Sequence, residues 1–524
     1  MKNFSSDTST TFPGPFAGSG IALRNICLSA RALLVFVVML VIFMVAARPI
    51  NDPDFWWHLR TGQYIVETGA IPHTDIFSVA FHGKEWVTHE WLSEALMYLI
   101  YRAGGYGGLV VFFALLITAA MWIVYRRAAE GVGHPYVVGF ALVLGALTAS
   151  PTWGVRPQMF SFLFASIYVA MLGDYARGRS DNFVWWLVPL MIVWANMHAG
   201  FALGLALIAL TIGGIVLNAW LVREEEEGEG SEPRADVWRR VRKLGLVFLA
   251  SASAVSLNPN GLRMYSYPFE TLTSKAMMKY IEEWFSPDFH ELMFLPLATL
   301  LFTTFCALAL SKKRARPGEL LMLAATGYAA LRSGRNVPFF ALVAMPLLAR
   351  HGWDWATGQR WGRWLTAPEK RETGRDAAIK LVLNVVLLVV LPLAVCFVKV
   401  GKVVANQASD EAKNFPAAVA DFIREQKPPQ PIYNEYGWGG YLIWNFYPDY
   451  RVYIDGRADV YGDAFMEEFM HTHDGAAKWR EPLERHGVRT VVVVPDAPLA
   501  SLLRQESNWR KAFENEQAVV FIRE

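Results

Sequence analysis

A succession of long apolar stretches constrains this chain more than any other feature. They run over about 32–47, 105–125, 136–150, 157–172, 183–197, 199–222, 244–257, 291–311, 318–331, 335–349 and 378–400. Several are shorter than the ~20 residues a straight helical span needs. None alternates as a barrel strand would, and in lipid only helices and closed barrels satisfy their own backbone. The pattern predicts an α-helical polytopic membrane protein with about 11 transmembrane helices. Charged residues make up 18% of the 524 residues and hydrophobic ones 54%, against roughly 25% charged in soluble domains. That excludes an ordinary soluble enzyme and a disordered scaffold. Lysines and arginines number 49 and acids 47, for a net charge of +2. No nucleic-acid partner is expected at that balance. Cys27, Cys306 and Cys396 lie in or beside apolar runs with no CxxC spacing, which argues against a disulfide framework or a zinc site.

Basic residues orient the spans. Arg126-Arg127, Arg177 and Arg179, Arg239 to Lys243, Lys312 to Arg316, and the cations between Arg350 and Lys380 fall on one side if residues 1–30 are a flexible cytoplasmic tail. A cleaved signal peptide competes at the first run, with Arg24 and Arg31 before it and Ala46-Ala47 after it. Its basic segment would be unusually long. The acidic run Glu224 to Glu227 reads as a solvated inside loop. Residues 31–400 then form the membrane domain, with a first outside loop at 48–104 and a second outside segment near 258–290. An odd number of spans puts 401–524 outside as a small α/β extracytoplasmic domain. Short strands are expected at 432–433, 451–455 and 490–494, and helices near 416–426, 463–485 and 497–512.

The densest cluster of chemically capable residues follows the first span: Asn51-Asp52-Pro53-Asp54-Phe55-Trp56-Trp57-His58-Leu59-Arg60. A structural reading makes Asp52 an N-cap, Pro53 the first helical residue and the tryptophans interface anchors. A functional reading uses the same helix. It sets Asp54, Trp57 and His58 on one face at spacings i, i+3 and i+4. A carboxylate can take a proton from an acceptor hydroxyl. An indole can stack on a sugar ring. An Asp-x-Asp pair can alternatively bind a divalent cation such as Mg or Mn. His89 and Glu90 open a second amphipathic stretch, 91–101. Two interfacial helices of this kind suit the rim of a lipid-facing cleft.

The run Asp-Pro-Asp-Phe-Trp-Trp-His-Leu-Arg-Thr-Gly after a first span resembles bacterial multi-span proteins of the glycosyltransferase C superfamily. The resemblance continues through residues 86–92, Arg156-Pro157-Gln158, 194–200, Asn258-Pro259-Asn260-Gly261, 439–442 and Ile454-Asp455-Gly456-Arg457. It implies a polyprenyl-phosphate-linked sugar as donor and an essential acid in the first outside loop, here Asp52 or Asp54. It also implies a glycan, lipid or protein acceptor, and a bacterial inner (cytoplasmic) membrane location with the site facing outward. On that basis Asp54, with Asp52, is expected to act as general base in an inverting transfer. Trp57, His58, His89 and Glu90 are expected to line the substrate. Arg60, Arg156, His198, Arg263, Arg332 and Arg335, all at outside ends of spans, are candidates to steady the leaving phosphate. Ordinary interfacial anchoring remains open for each arginine. A transporter or flippase, or a non-catalytic envelope-assembly protein, would use the same spans without transfer chemistry.

Overall fold

The computed structural model describes residues 30–179, 182–221, 234–366 and 375–524. The expected tail up to residue 29, Cys27 and the Glu224–Glu227 run lie outside the described residues. The chain is mostly helical, with one small sheet. Every apolar run of the sequence falls on a helix. In order these are α1 (Ala30–Ala46), an interfacial α2 (Phe55–Thr68), α3 (Trp91–Ala128), α4 (Pro135–Ala149), α5 (Gln158–Ala176), α6 (Leu187–Met197), α7 (Phe201–Leu221) and α8 (Arg234–Val255). Two short helices follow, α9 (Arg263–Thr273) and α10 (Lys275–Tyr280), then α11 (Leu295–Leu310), α12 (Pro317–Arg332), α13 (Val337–Thr357) and α14 (Arg375–Val395).

Among the described residues, six helical stretches are long and apolar enough to cross a membrane: Trp91–Ala128, Pro135–Thr152, Gln158–Ala176, Phe201–Leu221, Leu292–Leu310 and Val382–Asn414. That is fewer than the eleven spans expected. α1 and α6 are apolar but short: the 17 residues of α1 cover about 25 Å at 1.5 Å per residue, less than a ~30 Å hydrocarbon core. α3 joins two expected pieces. Gly105, at φ 59° and ψ −154°, breaks its direction between an interfacial first part and a membrane part, a conformation glycine tolerates because it lacks a Cβ. Val382, Val390 and Phe397 are more than half exposed along the last long stretch. Apolar exposure on that scale marks a lipid-facing surface.

The boundary expected at 400/401 falls inside continuous helix, because α14 runs through a π turn into α15 (Gly401–Asn414). Beyond it come α16 (Ala417–Gln426), β1 (Ile432–Asn434), α17 (Gly439–Phe446), α18 (Ala458–His473), α19 (Arg480–Arg485), β2 (Thr490–Val493), α20 (Pro498–Leu503), β3 (Trp509–Glu514) and β4 (Val519–Arg523). The sheet order is β1-β2-β4-β3. β1 lies parallel to β2, while β4 is antiparallel to both its neighbours. Two local expectations are corrected. Residues 504–512 do not continue a helix, because Trp509 to Glu514 pair with Val519 to Arg523 as a hairpin. A 3-10 turn, Tyr436–Trp438, leads into α17. Residues 451–455 do not join the sheet. Val452 instead bridges Ser78 of the first outside loop, accepting from Val79 N–H at 2.9 Å and donating to the Phe77 carbonyl at 3.1 Å.

Candidate active site

The segment after α1 turns back on itself before α2 begins. Asp54 N–H donates to Asp52 Oδ1 at 3.0 Å, and helical geometry begins at Phe55, two residues later than expected from Pro53. Asp54 occupies the cap position but makes no side-chain capping bond. Its Oδ1 instead accepts from Trp57 Nε1 at 3.0 Å. Trp56 is not an interface anchor. It is fully buried, edge-on to Phe55, Phe415 and Tyr441 at 5.1, 5.5 and 5.1 Å.

α2 crosses α3 at Gly62, where a Cβ would lie 2.0 Å from the Glu94 carbonyl oxygen. The close crossing places His58 Nδ1 3.0 Å from Glu94 Oε1 and 3.5 Å from Glu90 Oε2. Two more imidazoles converge on Glu90: His89 Nε2 at 3.0 Å and His198 Nε2 at 3.4 Å. Asparagines hold these segments together. Asn196 accepts from Trp91 Nε1 at 2.7 Å, and Asn258 donates to the Ala195 carbonyl at 2.9 Å.

The hydrogen bonds assign protons to two of the imidazoles. Gly200 N–H donates to His198 Nδ1 at 2.9 Å. Trp194 Nε1 donates to Ser161 Oγ at 2.7 Å, leaving the Ser161 hydroxyl to donate to His198 Nδ1 at 2.7 Å. His198 is therefore a neutral imidazole whose proton sits on Nε2, toward Glu90. Burial depresses it to about 4, outweighing Glu90. Burial likewise depresses His58 to about 3. His89 differs: both its nitrogens face acceptors, Val87 O at 3.1 Å and Glu90. Burial opposes its charge, yet Glu90 holds its pKa above the ordinary value. Glu90 in turn is held below the usual carboxylate range, against its burial, by His89 and His198.

A second ionic group lies alongside. Asp52 Oδ2 is 2.7 Å from Arg156 Nε, and Arg156 also pairs with Glu283. Both aspartates are half-buried. Burial raises Asp52 above its ordinary value despite Arg156. Asp54 rises further, from burial and then from the charge of Asp52. Glu283 is held down, against burial, by Arg156 and Arg335. Arg335 lies 4.5 Å over the Trp284 ring and makes no ion pair among the described residues.

The C-terminal region closes this recess. A Cβ on Gly456 would lie 1.6 Å from Asp54 Oδ1, so the Asp455-Gly456-Arg457 turn rests directly on the carboxylate. Arg457 is 1% exposed and holds the turn in place. Its guanidinium binds Asp455 at 2.7 Å and Asp75 at 2.8 Å, over the rings of Trp86 and Phe77. Tyr461 donates to Asp455 Oδ2 at 2.6 Å. A cleft of about 360 Å³ opens beside the cluster, between Glu85 to Val87, α9 and the start of α18. It reaches Tyr267, whose ring stacks against His89 at 4.3 Å, and Asp459. Asp52 and Asp54 lie outside its lining.

No protein-family model and no curated protein matches this chain. Solved structures do. The archaeal oligosaccharyltransferase AglB from Archaeoglobus fulgidus, in complex with an inhibitory peptide and a dolichol-phosphate, is 10% identical over 88% of this chain and 69% of its own, with a TM-score of 0.51. Its apo form gives the same values. ArnT from Cupriavidus metallidurans bound to undecaprenyl phosphate is 16% identical over 93% of this chain and 97% of its own, with a TM-score of 0.47. The fold is that of the glycosyltransferase C superfamily.

Within this glycosyltransferase C fold, the structure gathers Asp52, Asp54, Trp57, His58, His89, Glu90, Arg156, His198 and Arg335 into one neighbourhood. Arg60, Arg263 and Arg332 stay apart. Arg60 donates to Gln63 at 2.6 Å and to the Tyr447 carbonyl. Arg263 is exposed and pairs with Glu85 at 3.0 Å and with Glu270. Arg332 is exposed, with Met278 sulfur 4.0 Å from its Nη2. Glu94, Ser161 and Glu283 join the neighbourhood although sequence reasoning gave none of them a role, and Tyr267 and Asp459 join it as well. The cation expected between Asp52 and Asp54 meets a competitor, since Arg156 already neutralises Asp52. The described group with metal-ligand spacing is His58, Glu90 and Glu94, whose ligand atoms lie within 4.8 Å of one another. Glu94 Oε2 there is buried without a hydrogen-bond partner.

Proposed function

We propose that this protein moves a sugar from a polyprenyl-phosphate-linked donor to an acceptor hydroxyl, with inversion, at the Asp52–Asp54 recess. The observation that carries this reading is Asp54 itself. It is a half-buried carboxylate with no ion pair among the described residues, raised well above its ordinary pKa, beside the half-buried Arg156 and Arg335 in a glycosyltransferase C fold. AglB and ArnT were solved with dolichol-phosphate and undecaprenyl phosphate, which supports a lipid-phosphate donor here.

Asp54 would take the proton of the acceptor hydroxyl while that oxygen bonds to the anomeric carbon. The bond from that carbon to the phosphate oxygen breaks, and polyprenyl phosphate leaves with the electron pair. Arg335, uncommitted to any carboxylate, and Arg156 supply positive charge as it develops. If a divalent cation takes part, His58, Glu90 and Glu94 fit it better than Asp52 and Asp54. It would supply further charge for the phosphate. In this reading the helices make about eleven spans of a bacterial inner membrane, and the region beyond the last of them faces outward.

The test is transfer of radiolabelled sugar from a panel of polyprenyl-phosphate sugars by the purified full-length protein in lipid. Asp54→Asn is expected to lose about 100-fold or more in rate, the usual contribution of a general base. Transfer by Asp54→Asn at the wild-type rate rejects the assignment. Lipid movement without any glycosidic product favours a flippase instead.

A further inference from the structure

Far from the aspartates, at the end of the bundle rich in lysine and arginine, the helices part around a second cavity of about 270 Å³. The space is well beyond the ~30 Å³ share of one water. It lies between the last turns of α3 and α5, the second half of α7, the first turns of α12 and the middle of α13. Its walls are apolar, with Leu172, Ile215, Met322, Leu342 and Leu347 lining it. Its rim is cationic: Arg127, Arg177, Arg179, Lys313, Arg316 and Arg350 all face it.

Nearby carboxylates answer only part of that charge. Asp174 takes Arg127 at 2.6 Å and Arg177 at 3.1 Å. Glu130 takes Arg177 at 3.1 Å and Arg179 at 2.8 Å, and Glu319 takes Arg350 at 2.6 Å. Six cations against these three acids and Asp354 leave a surplus of two positive charges. The surplus is local. Arg316 has no ion pair among the described residues, and Lys313 reaches Asp354 only at 4.0 Å.

We propose that this cavity binds an anionic phospholipid of the adjoining leaflet. Its phosphate sits among Arg177, Arg316 and Lys313, and an acyl chain lies along Leu172, Ile215 and Leu342. Guanidinium groups match phosphate oxygens in paired hydrogen bonds. Basic pockets between membrane helices are where anionic headgroups are held. The apolar walls favour a lipid over a free anion. The positive surplus disfavours a zwitterionic headgroup, whose own cation would meet the same arginines. The bound lipid would fill the gap between α5 and α7 on one side and α12 and α13 on the other.

Native mass spectrometry of the full-length protein, loaded with dioleoylphosphatidylglycerol or dioleoylphosphatidylcholine, tests this. The wild type is expected to retain phosphatidylglycerol preferentially. Arg316→Gln and Lys313→Gln should each lower that retention about five-fold, the effect of one basic residue near an anionic surface, and leave phosphatidylcholine unchanged. Arg510→Gln, in the C-terminal sheet, should change neither. Both tested side chains lie on the rim, so neither substitution perturbs packing. Equal retention of the two lipids, or unchanged retention in both variants, overturns the proposal. Full displacement of phosphatidylglycerol by millimolar inorganic phosphate also overturns it, in favour of a free anion.

Discussion

Asp52 and Asp54 stand two residues apart yet meet different surroundings. Asp52 has Arg156 at 2.7 Å. Asp54 has an indole N–H at 3.0 Å and the neighbouring negative charge. A base must be ionised to act, so activity falls as pH drops through the raised pKa of Asp54. The acid limb of kcat/KM is expected above the ordinary carboxylate range. Arg156→Gln removes the cation that lowers both aspartates, so that limb should move up by about one pH unit. A limb that stays put in Arg156→Gln would detach Arg156 from the ionisation of the base. A separate expectation concerns metal. Mn²⁺ binding, read by electron paramagnetic resonance, should weaken at least tenfold in Glu94→Gln, and Asp52→Asn should retain it. The reverse result moves the cation to the aspartates. At this scale the sequence was informative where residues cluster along the chain. Asp52 to His58 and His89-Glu90 could be singled out because each group is contiguous and follows or precedes an apolar run. Glu283 was not, because the bond to Arg156 that gives it meaning joins two outside segments with no shared pattern. Glu94 lies one helical turn from Glu90, a spacing that could have flagged it.

Helices place these groups through a few close crossings. Gly62 is the tightest of those at the recess, with the α3 backbone where its side chain would be. Gly62→Ala should force α2 away from α3 and separate His58 from Glu90 and Glu94. The cost expected is about 1–3 kcal/mol, as for overpacked cores, with activity falling more than the thermal midpoint does. Wild-type stability and activity in that variant would mean the crossing is looser than described. Helix existence was legible from apolar runs, since lipid exposure imposes it. Helix extent was not. α3 absorbs a polar interfacial segment because glycine at 105 allows the change of direction. The start of β3 was read as the end of a helix over 497–512, while its pairing partners in β4 decide the matter.

Over the whole molecule, the loop between α1 and α3 and the C-terminal region are joined by direct contacts. Arg457, with Asp75 from one and Asp455 from the other, is the buried ionic joint between them. Arg457→Ala leaves two buried carboxylates without a cation and should cost about 3–5 kcal/mol, measured as loss of thermal stability in detergent. An unchanged melting temperature would show that the two regions hold together without it. The sequence marked residues 454–457 as a matching motif that could pack against the loops after the spans, without saying which residue the turn would meet. Only the long-range fold brings that turn onto Asp54.

That contact has a consequence for biogenesis. Gly456 and Asp54 are far apart along the polypeptide, so the recess stays unfinished until the 454–457 turn has been synthesised. A nascent chain halted before that turn would carry the acid but not the surface that covers it. Such fragments should be inert rather than indiscriminate, and competence would arrive only once the turn has docked.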